Sequence, residues 1–332
     1  MEPLLSIGIT SYKRVNELVR CITSIKTKYI DKIEILVSED HSPLSEEIAF
    51  SVNKLKETSP YHIIFTTNER NLGYDMNLGA ILKKCRGKYV FFMSDDDAVY
   101  DNCLDNIIKF LERDSDDYGV LYGPFAYNKT TFDRVRYAQD TVLPKGESSA
   151  AQCIYDSILF SGLIFRREWV LEYDSSRFVN MNYFQVYMFL KMLYHKGGYY
   201  FSQPTVLCIG DGENAYGLSE SSGGNALLAN RKSVISNLEF NKTLIKVIRI
   251  FDQEEGTNVF KSFEKQYSLH AYSGLSIARR SGKAYFKEYW NKLNSLDIKL
   301  YPITHIYYWM LMILGSKASN NLTSIVRNAL NK

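Results

Sequence analysis

Cysteine is scarce in this 332-residue chain. There are five, Cys21, Cys85, Cys103, Cys153 and Cys208, far apart, with no C-x-x-C pair and no histidine at zinc-finger spacing. That pattern excludes a disulfide framework and a structural zinc module, and fits buried free thiols in a reducing compartment. Seven prolines and 19 glycines are ordinary numbers, and no stretch is low in complexity or repeats at a fixed period, which excludes disordered, fibrous and solenoid classes. The longest apolar and aromatic run, Ile303 to Leu314, falls well short of the ~20 residues of a membrane-spanning helix. Also missing are G-x-G-x-x-G after the first strand-like run, G-x-x-x-x-G-K-[S/T], G-x-S-x-G and H-E-x-x-H. Dinucleotide oxidoreductases, P-loop phosphotransferases, α/β-hydrolases and zincins thereby lose their main support. The start, Met1-Glu2-Pro3 leading straight into a strand-like run, lacks the basic and apolar regions of a signal peptide, so a cytoplasmic location is expected.

What is present is enough apolar sequence, 45%, for a substantial core, and a net charge of +3 that is unevenly spread. Residues 241–332 carry 14 Lys/Arg against 6 Asp/Glu, whereas the preceding residues carry 26 against 31. The basic last quarter is a candidate for contact with an anionic membrane surface. Nothing in the pattern points to nucleic acid.

Short β-branched runs alternate with amphipathic segments through the first hundred residues. Leu4–Thr10, Ile33–Val37, His62–Phe65 and Tyr89–Met93 read as strands; 15–25, 44–56 and 76–85 read as helices. Four strand–helix alternations predict an α/β fold, a mostly parallel sheet covered by helices on both faces. In such sheets ligands gather outside the carboxyl ends of the strands. Polar residues sit at those ends: Thr10 to Arg14, Glu39-Asp40, Asn71 to Gly73, and Asp95-Asp96-Asp97. Strands are predicted over 118–127 and 157–165, helices over 166–168 onward and 183–193, a strand near 198–201, and a glycine-rich loop over 210–224. From about residue 230 the pattern is helical. The expected organisation is therefore a catalytic domain over 1–230, with a nucleotide-binding half (1–117) and an acceptor half (118–230), followed by a basic helical region over 231–332.

The three aspartates carry the sharpest chemical signal. Adjacent ionised carboxylates raise one another's pKa unless a cation intervenes. A hard divalent ion, Mg²⁺ or Mn²⁺, resolves the conflict by taking one or two carboxylates and completing its shell with phosphate and water. A solvated helix cap needs only one acid there, and Asp101 would serve.

The runs LLSIGITSYKR (4–14), VSEDHS (37–42), NLGYDMNLG (71–79), GKYVFFMSDDDAV (87–99) and SGLIFRRE (161–168), in this order, resemble family-2 glycosyltransferases of the GT-A fold. Within these the chain is most similar to the abequosyltransferase-like branch of bacterial O-antigen and capsule enzymes. The likeness spans roughly residues 4–220. It implies that Thr10, Tyr12 and Arg14 underlie the nucleotide, that Asp40 reaches the base with Glu39 nearby, and that Asn71 and Gly73 line the ribose and diphosphate. Asp95 and Asp97 would be the D-x-D pair that holds Mn²⁺ or Mg²⁺, with Asp96 as an alternative because the triplet allows two registers. The implied partners are a nucleotide-sugar donor and a saccharide acceptor, plausibly lipid-linked.

The chain departs from the pattern at one place. Many inverting relatives supply the general base from a Glu-Asp pair on the helix that here reads Asn182-Tyr183-Phe184-Gln185, which has no carboxylate. Asp211 and Glu213, and less favourably Asp156, are the remaining candidates, and Tyr216 is the candidate acceptor contact. Two other classes stay open at this stage: a nucleotide-sugar binding or scaffold protein without turnover, and a metal-dependent nucleotidyltransferase.

Overall fold

The computed structural model describes residues 2–113, 118–128, 130–209 and 234–330. The chain divides into two compact units, 1–225 and 226–332.

Unit one is built on an eight-stranded sheet. Strand β1 (Leu5–Ser11) leads to α1 (Val15–Ser24), β2 (Ile33–Glu39), α2 (Ser45–Thr58), β3 (His62–Thr67), α3 (Tyr74–Lys84) and β4 (Tyr89–Ser94). These four strands lie in the order β3-β2-β1-β4 and are parallel throughout. β1, β2 and β4 are mainly apolar and buried on both faces, as parallel strands covered by helices must be, with Ser6 donating to Glu34 inside the sheet. In α1, Leu18, Cys21 and Ile22 share the buried face at helical spacing. Close packing of α3 on β1 depends on Gly8, where a Cβ would lie 2.5 Å from Ile81 Cγ2.

After β4 the chain makes the short strand β5 (Ala98–Val99) and α4 (Cys103–Arg113). It continues through β6 (Val120–Tyr122), β7 (Phe125–Ala126), β8 (Phe132–Asp133), β9 (Thr141–Leu143), α5 (Glu147–Cys153), β10 (Ile164–Arg166), α6 (Arg167–Val170), α7 (Phe184–Lys196), β11 (Gly198–Tyr200) and β12 (Val206–Leu207). The main sheet is completed as β4-β10-β6-β11-β9, with β10 antiparallel to both neighbours and β9 antiparallel to β11. A second sheet runs β5-β12-β7-β8. The sheet is thus parallel from β3 through β4 and mixed beyond β4. The strand expected over 157–165 shrinks to Ile164–Arg166, because Ile154–Ser157 forms a 3₁₀ turn and Gly162 takes φ 88.

Unit two is helical, with α8 (Val234–Glu255), α9 (Val259–Arg280), α10 (Lys283–Asn294) and α11 (Pro302–Leu330). Asp252 starts α9 by accepting from Val259 N and Phe260 N at 2.9 and 2.8 Å. The apolar run 303–314 belongs to α11, which is interrupted at Gly315, φ 74. Among the described residues no helix is long and apolar enough to cross a membrane.

Candidate active site

Because β1, β2, β3 and β4 are parallel and adjacent, Ser11, Glu39, Thr67 and Ser94 all lie at one edge of the sheet. The turn after β4 places the triplet there. Asp95 receives Tyr12 N–H on Oδ2 at 3.1 Å and Arg14 Nη1 on Oδ1 at 2.7 Å. The same guanidinium nitrogen lies 3.0 Å from Asp96 Oδ2, and Arg20 donates to the Asp96 carbonyl at 3.0 Å. Ser94 Oγ donates to Asp96 Oδ1. Asp97 turns the other way, where Ser161 Oγ donates to its Oδ2 at 2.6 Å and the Cys208 thiol and Ile209 N–H also contribute. Burial pushes the Asp95 carboxyl up to about 7 against the pull of Arg14, and Asp97 up to about 6 against that of Ser161.

The triplet therefore sets three carboxylates against the Arg14 guanidinium, which pairs directly with two of them, Asp95 and Asp96. Its hard oxygens fit a divalent ion better than any soft metal. Among the described residues no three His, Cys, Asp or Glu side chains converge as a closed metal cage. An ion here would accordingly use one or two carboxylates and draw the rest of its shell from phosphate and water. Both Asp95 oxygens hold protein donors and Asp97 is 3% exposed, whereas the Asp96 side chain is 17% exposed. Asp96 has the most accessible carboxylate of the three.

At the β2 end the two acids Glu39 and Asp40 hold the loops that follow the strand. Asp40 Oδ1 accepts from Asn68 Nδ2 at 2.9 Å and Leu72 N at 2.8 Å, and Oδ2 from Gly73 N at 2.9 Å. Asn71 Oδ1 also accepts from Gly73 N, at 3.0 Å. Asp40 thus clamps the 71–73 loop at the start of α3, where Gly73 adopts φ 76, a conformation that glycine tolerates best. Burial raises its pKa, and the Asn68, Leu72 and Gly73 donors oppose the rise. Glu39 accepts from Ser42 N at 2.9 Å and from Ser45 Oγ, fixing the entry to α2. Thr10 occupies the second-last position of β1 and is partly exposed, as are Tyr12, Arg14, Asn71 and Gly73.

The sequence reading did not single out several residues that hold this edge. Asn68 and Asn77 bridge β2 to α3, with Ser38 Oγ donating to Asn77 Oδ1 at 2.7 Å, and Lys84 reaches Asn68 Oδ1 at 3.1 Å. Ser161 and Arg20 are further examples. The available signal was polar residues inside otherwise apolar segments, Ser38, Asn77 and Ser161 among them. Asp156, considered as a base, is buried in an ion pair with Arg136, at 2.5 and 3.1 Å, and receives Tyr122 Oη at 2.9 Å. Asp211, Glu213 and Tyr216 lie outside the described residues.

The profile of glycosyl transferase family 2 matches residues 6–172, about half of the chain, and the chain belongs to that family. Over 231 residues it is 26% identical to abequosyltransferase RfbV of Salmonella typhimurium (strain LT2), covering 64% of this chain and 68% of that protein. It is 26% identical over 136 residues to an uncharacterized glycosyltransferase of Rickettsia bellii, covering 40% of this chain but spanning only 17% of that much longer relative. Among solved structures, residues 1–349 of S. aureus TarS superpose with a TM-score of 0.55 at 15% identity, covering 88% of this chain and 79% of that one. The mannosyltransferase PcManGT of Pyrobaculum calidifontis, in complex with GDP-Man and Mn²⁺, gives a TM-score of 0.51 at 14% identity over 97% and 88% of the two chains. These structural likenesses establish the GT-A fold.

Proposed function

We propose that the chain moves a sugar from a nucleoside-diphosphate donor to a hydroxyl of a saccharide acceptor during assembly of a bacterial surface polysaccharide, O-antigen or capsule. The observation that carries this reading is the meeting of the β1 end with the triplet: Tyr12 N–H and Arg14 on Asp95, beside the Asp40-clamped loop at the start of α3. This arrangement is a rigid, acid-rich cradle at the sheet edge where phosphorylated ligands bind in α/β folds. Abequosyltransferase RfbV supports the saccharide setting, and the complex of PcManGT with GDP-Man and Mn²⁺ supports a metal-assisted nucleotide-sugar donor.

In this reading Asp96, with Asp95 or Asp97, holds Mn²⁺ or Mg²⁺. The ion's contribution when bound is to neutralise charge on the departing diphosphate. Tyr12 N–H and Arg14 fix the Asp95 carboxylate, Ser161 fixes Asp97, and Asp40 sets the backbone of Leu72 and Gly73 for contact with the ribose and diphosphate. The acceptor hydroxyl must lose a proton as the new bond forms. Gln185 stands on α7 without a carboxylate, and Asp156 is engaged by Arg136, so Asp211 and Glu213 are the residues assigned to test for that role, with Tyr216 as a sugar contact.

A membrane-associated, lipid-linked acceptor is supported by unit two. On α11, Ile306, Trp309 and Ile313 lie on one helical stripe and are 58, 60 and 75% exposed. Beside them Tyr308 stacks on Trp290, ring centroids 4.2 Å apart, and Lys283 and Lys287 precede Trp290 at helical spacing on α10. Apolar tips, interfacial aromatics and basic side chains together suit the cytoplasmic face of an anionic bilayer.

The reading is tested by incubating the full chain with UDP-, GDP-, CDP- and dTDP-sugars, with and without Mn²⁺, and following nucleoside-diphosphate release. Metal-dependent release from one donor class supports it. Tight donor binding without release, with or without a saccharide acceptor, would instead favour the non-catalytic binding protein that the missing α7 carboxylate suggests.

A further inference from the structure

Beyond the triplet, unit one buries a positive charge that no carboxylate among the described residues pairs. Arg134 follows β8 with φ 59 and is 9% exposed. Its Nη2 donates to Leu159 O at 2.7 Å, and its guanidinium lies 5.2 Å from the centre of the Phe125 ring. Its Nη1 is buried without a hydrogen-bond acceptor. Among the described residues no carboxylate lies within ion-pairing distance of its guanidinium. Asp156, the nearest strong candidate, is taken by Arg136 in two hydrogen bonds and by Tyr122, and Asp133 accepts from the Arg134 backbone N–H at 2.7 Å. The local balance is two guanidinium groups for one buried carboxylate. Burying a guanidinium with an unmet donor is costly, and a fold keeps such a group at low cost only if an acceptor arrives.

Its surroundings place Arg134 next to the proposed site. Leu159, which it holds, belongs to the turn that also presents Ser161 to Asp97, and Gln185 Nε2 steadies the same turn through Ile158 O at 3.1 Å. On the other side, Cys208 N donates to Ala126 O of β7 at 2.7 Å, while its thiol bonds Asp97 and feels the charge of Arg134. Arg134 and Asp97 thus share the 158–161 turn and Cys208 as neighbours, on the side of β7 and β8.

We infer that Arg134 is the counter-ion of a substrate phosphate oxyanion, which Nη1 receives beside Asp97 on the acceptor-half side of the triplet. A planar, permanently charged guanidinium suits this task. The inference rests on the proposed function only in requiring a phosphate-bearing substrate. Two substrates could bring the oxyanion: the donor diphosphate, or a phosphate on the acceptor such as that of a lipid-diphosphate-linked saccharide.

The experiment compares wild type, Arg134→Gln and Arg134→Lys as full chains. Calorimetry measures binding of UDP, GDP, CDP and dTDP with Mn²⁺, and of inorganic pyrophosphate in the presence of whichever nucleotide saturates. Arg134→Gln is expected to weaken phosphate binding roughly tenfold, as loss of one charge-assisted hydrogen bond predicts, with partial recovery in Arg134→Lys. A loss seen with the nucleotides identifies the donor as the source; a loss confined to pyrophosphate over saturating nucleotide identifies the acceptor. Unchanged phosphate binding in Arg134→Gln, together with equal or greater stability to denaturant, overturns the inference and leaves Arg134 as a support for the 158–161 turn. Should Arg134→Gln fail to fold, amide exchange of wild type with pyrophosphate decides: protection across 125–136 and 158–161 supports the inference and its absence overturns it. If wild type binds pyrophosphate through Arg134 but no nucleotide, the nucleotide-sugar reading fails while the oxyanion site stands.

Discussion

Asp40, at the end of β2, anchors the loop that starts α3 through the backbone N–H groups of Leu72 and Gly73. Its Oδ1 accepts from Asn68 and Leu72 and its Oδ2 from Gly73. Replacing it by Asn turns one acceptor into a donor facing backbone N–H groups. Asp40→Asn is therefore expected to cost about 1–3 kcal/mol of stability, measured by denaturant unfolding, and to weaken nucleotide binding through the 71–73 loop. Undiminished stability would show that the clamp is dispensable. Asp75 is the corresponding clamp at α7, accepting Asn182 N at 2.8 Å and Phe184 N at 2.9 Å, with its pKa pushed by burial from 3.8 to about 6. Between these two values the folded protein binds more protons than the unfolded one, so the contribution of Asp75 to stability is complete below about pH 4 and is lost as pH rises through about 6. The loss is on the order of 2–3 kcal/mol. The stability gap between wild type and Asp75→Asn, followed from pH 4 to 7, should narrow with rising pH; a gap independent of pH would contradict the shift.

The helices and strands up to β4 were legible because period and composition agree there: short runs rich in Ile, Leu, Val and Phe for two-sided strands, and Leu18, Cys21 and Ile22 at helical spacing. Beyond β4 the reading loosened. Short strands such as Phe125–Ala126 and Val206–Leu207 hold too few residues to display a period, and their pairing into a second sheet depends on partners far away in sequence. The segment 157–163 read as a strand because it is apolar, yet it is a turn whose carbonyls serve Arg134 and Gln185. The triplet and the strand ends were visible as acids and polar residues after apolar runs. Ser161, Arg20 and Arg134 were not, since their importance lies in which distant group they meet. At this scale Gly8 offers a direct check. A methyl group there would meet Ile81 Cγ2 at 2.5 Å, so Gly8→Ala should destabilise unit one by about 1–3 kcal/mol in thermal or denaturant unfolding. Unchanged stability would mean that α3 shifts away from β1 without cost.

For the whole molecule, the family-2 assignment and the GT-A fold frame an acid-rich strand edge in unit one, proposed to hold the donor, and an exposed apolar stripe in unit two. If the stripe serves membrane contact, replacing Ile306, Trp309 and Ile313 by Ser should reduce sedimentation with anionic vesicles while leaving nucleotide binding unchanged; equal sedimentation would remove the membrane role. The central claim concerns the triplet, and one titration tests it most directly. Nucleoside diphosphates are titrated into wild type, Asp96→Asn and Asp97→Asn, each with Mn²⁺ and with chelator. The account predicts that wild type binds one nucleoside diphosphate in a metal-dependent manner and that both variants lose most of that dependence while remaining folded. Metal-dependent binding of equal strength in all three proteins would contradict it.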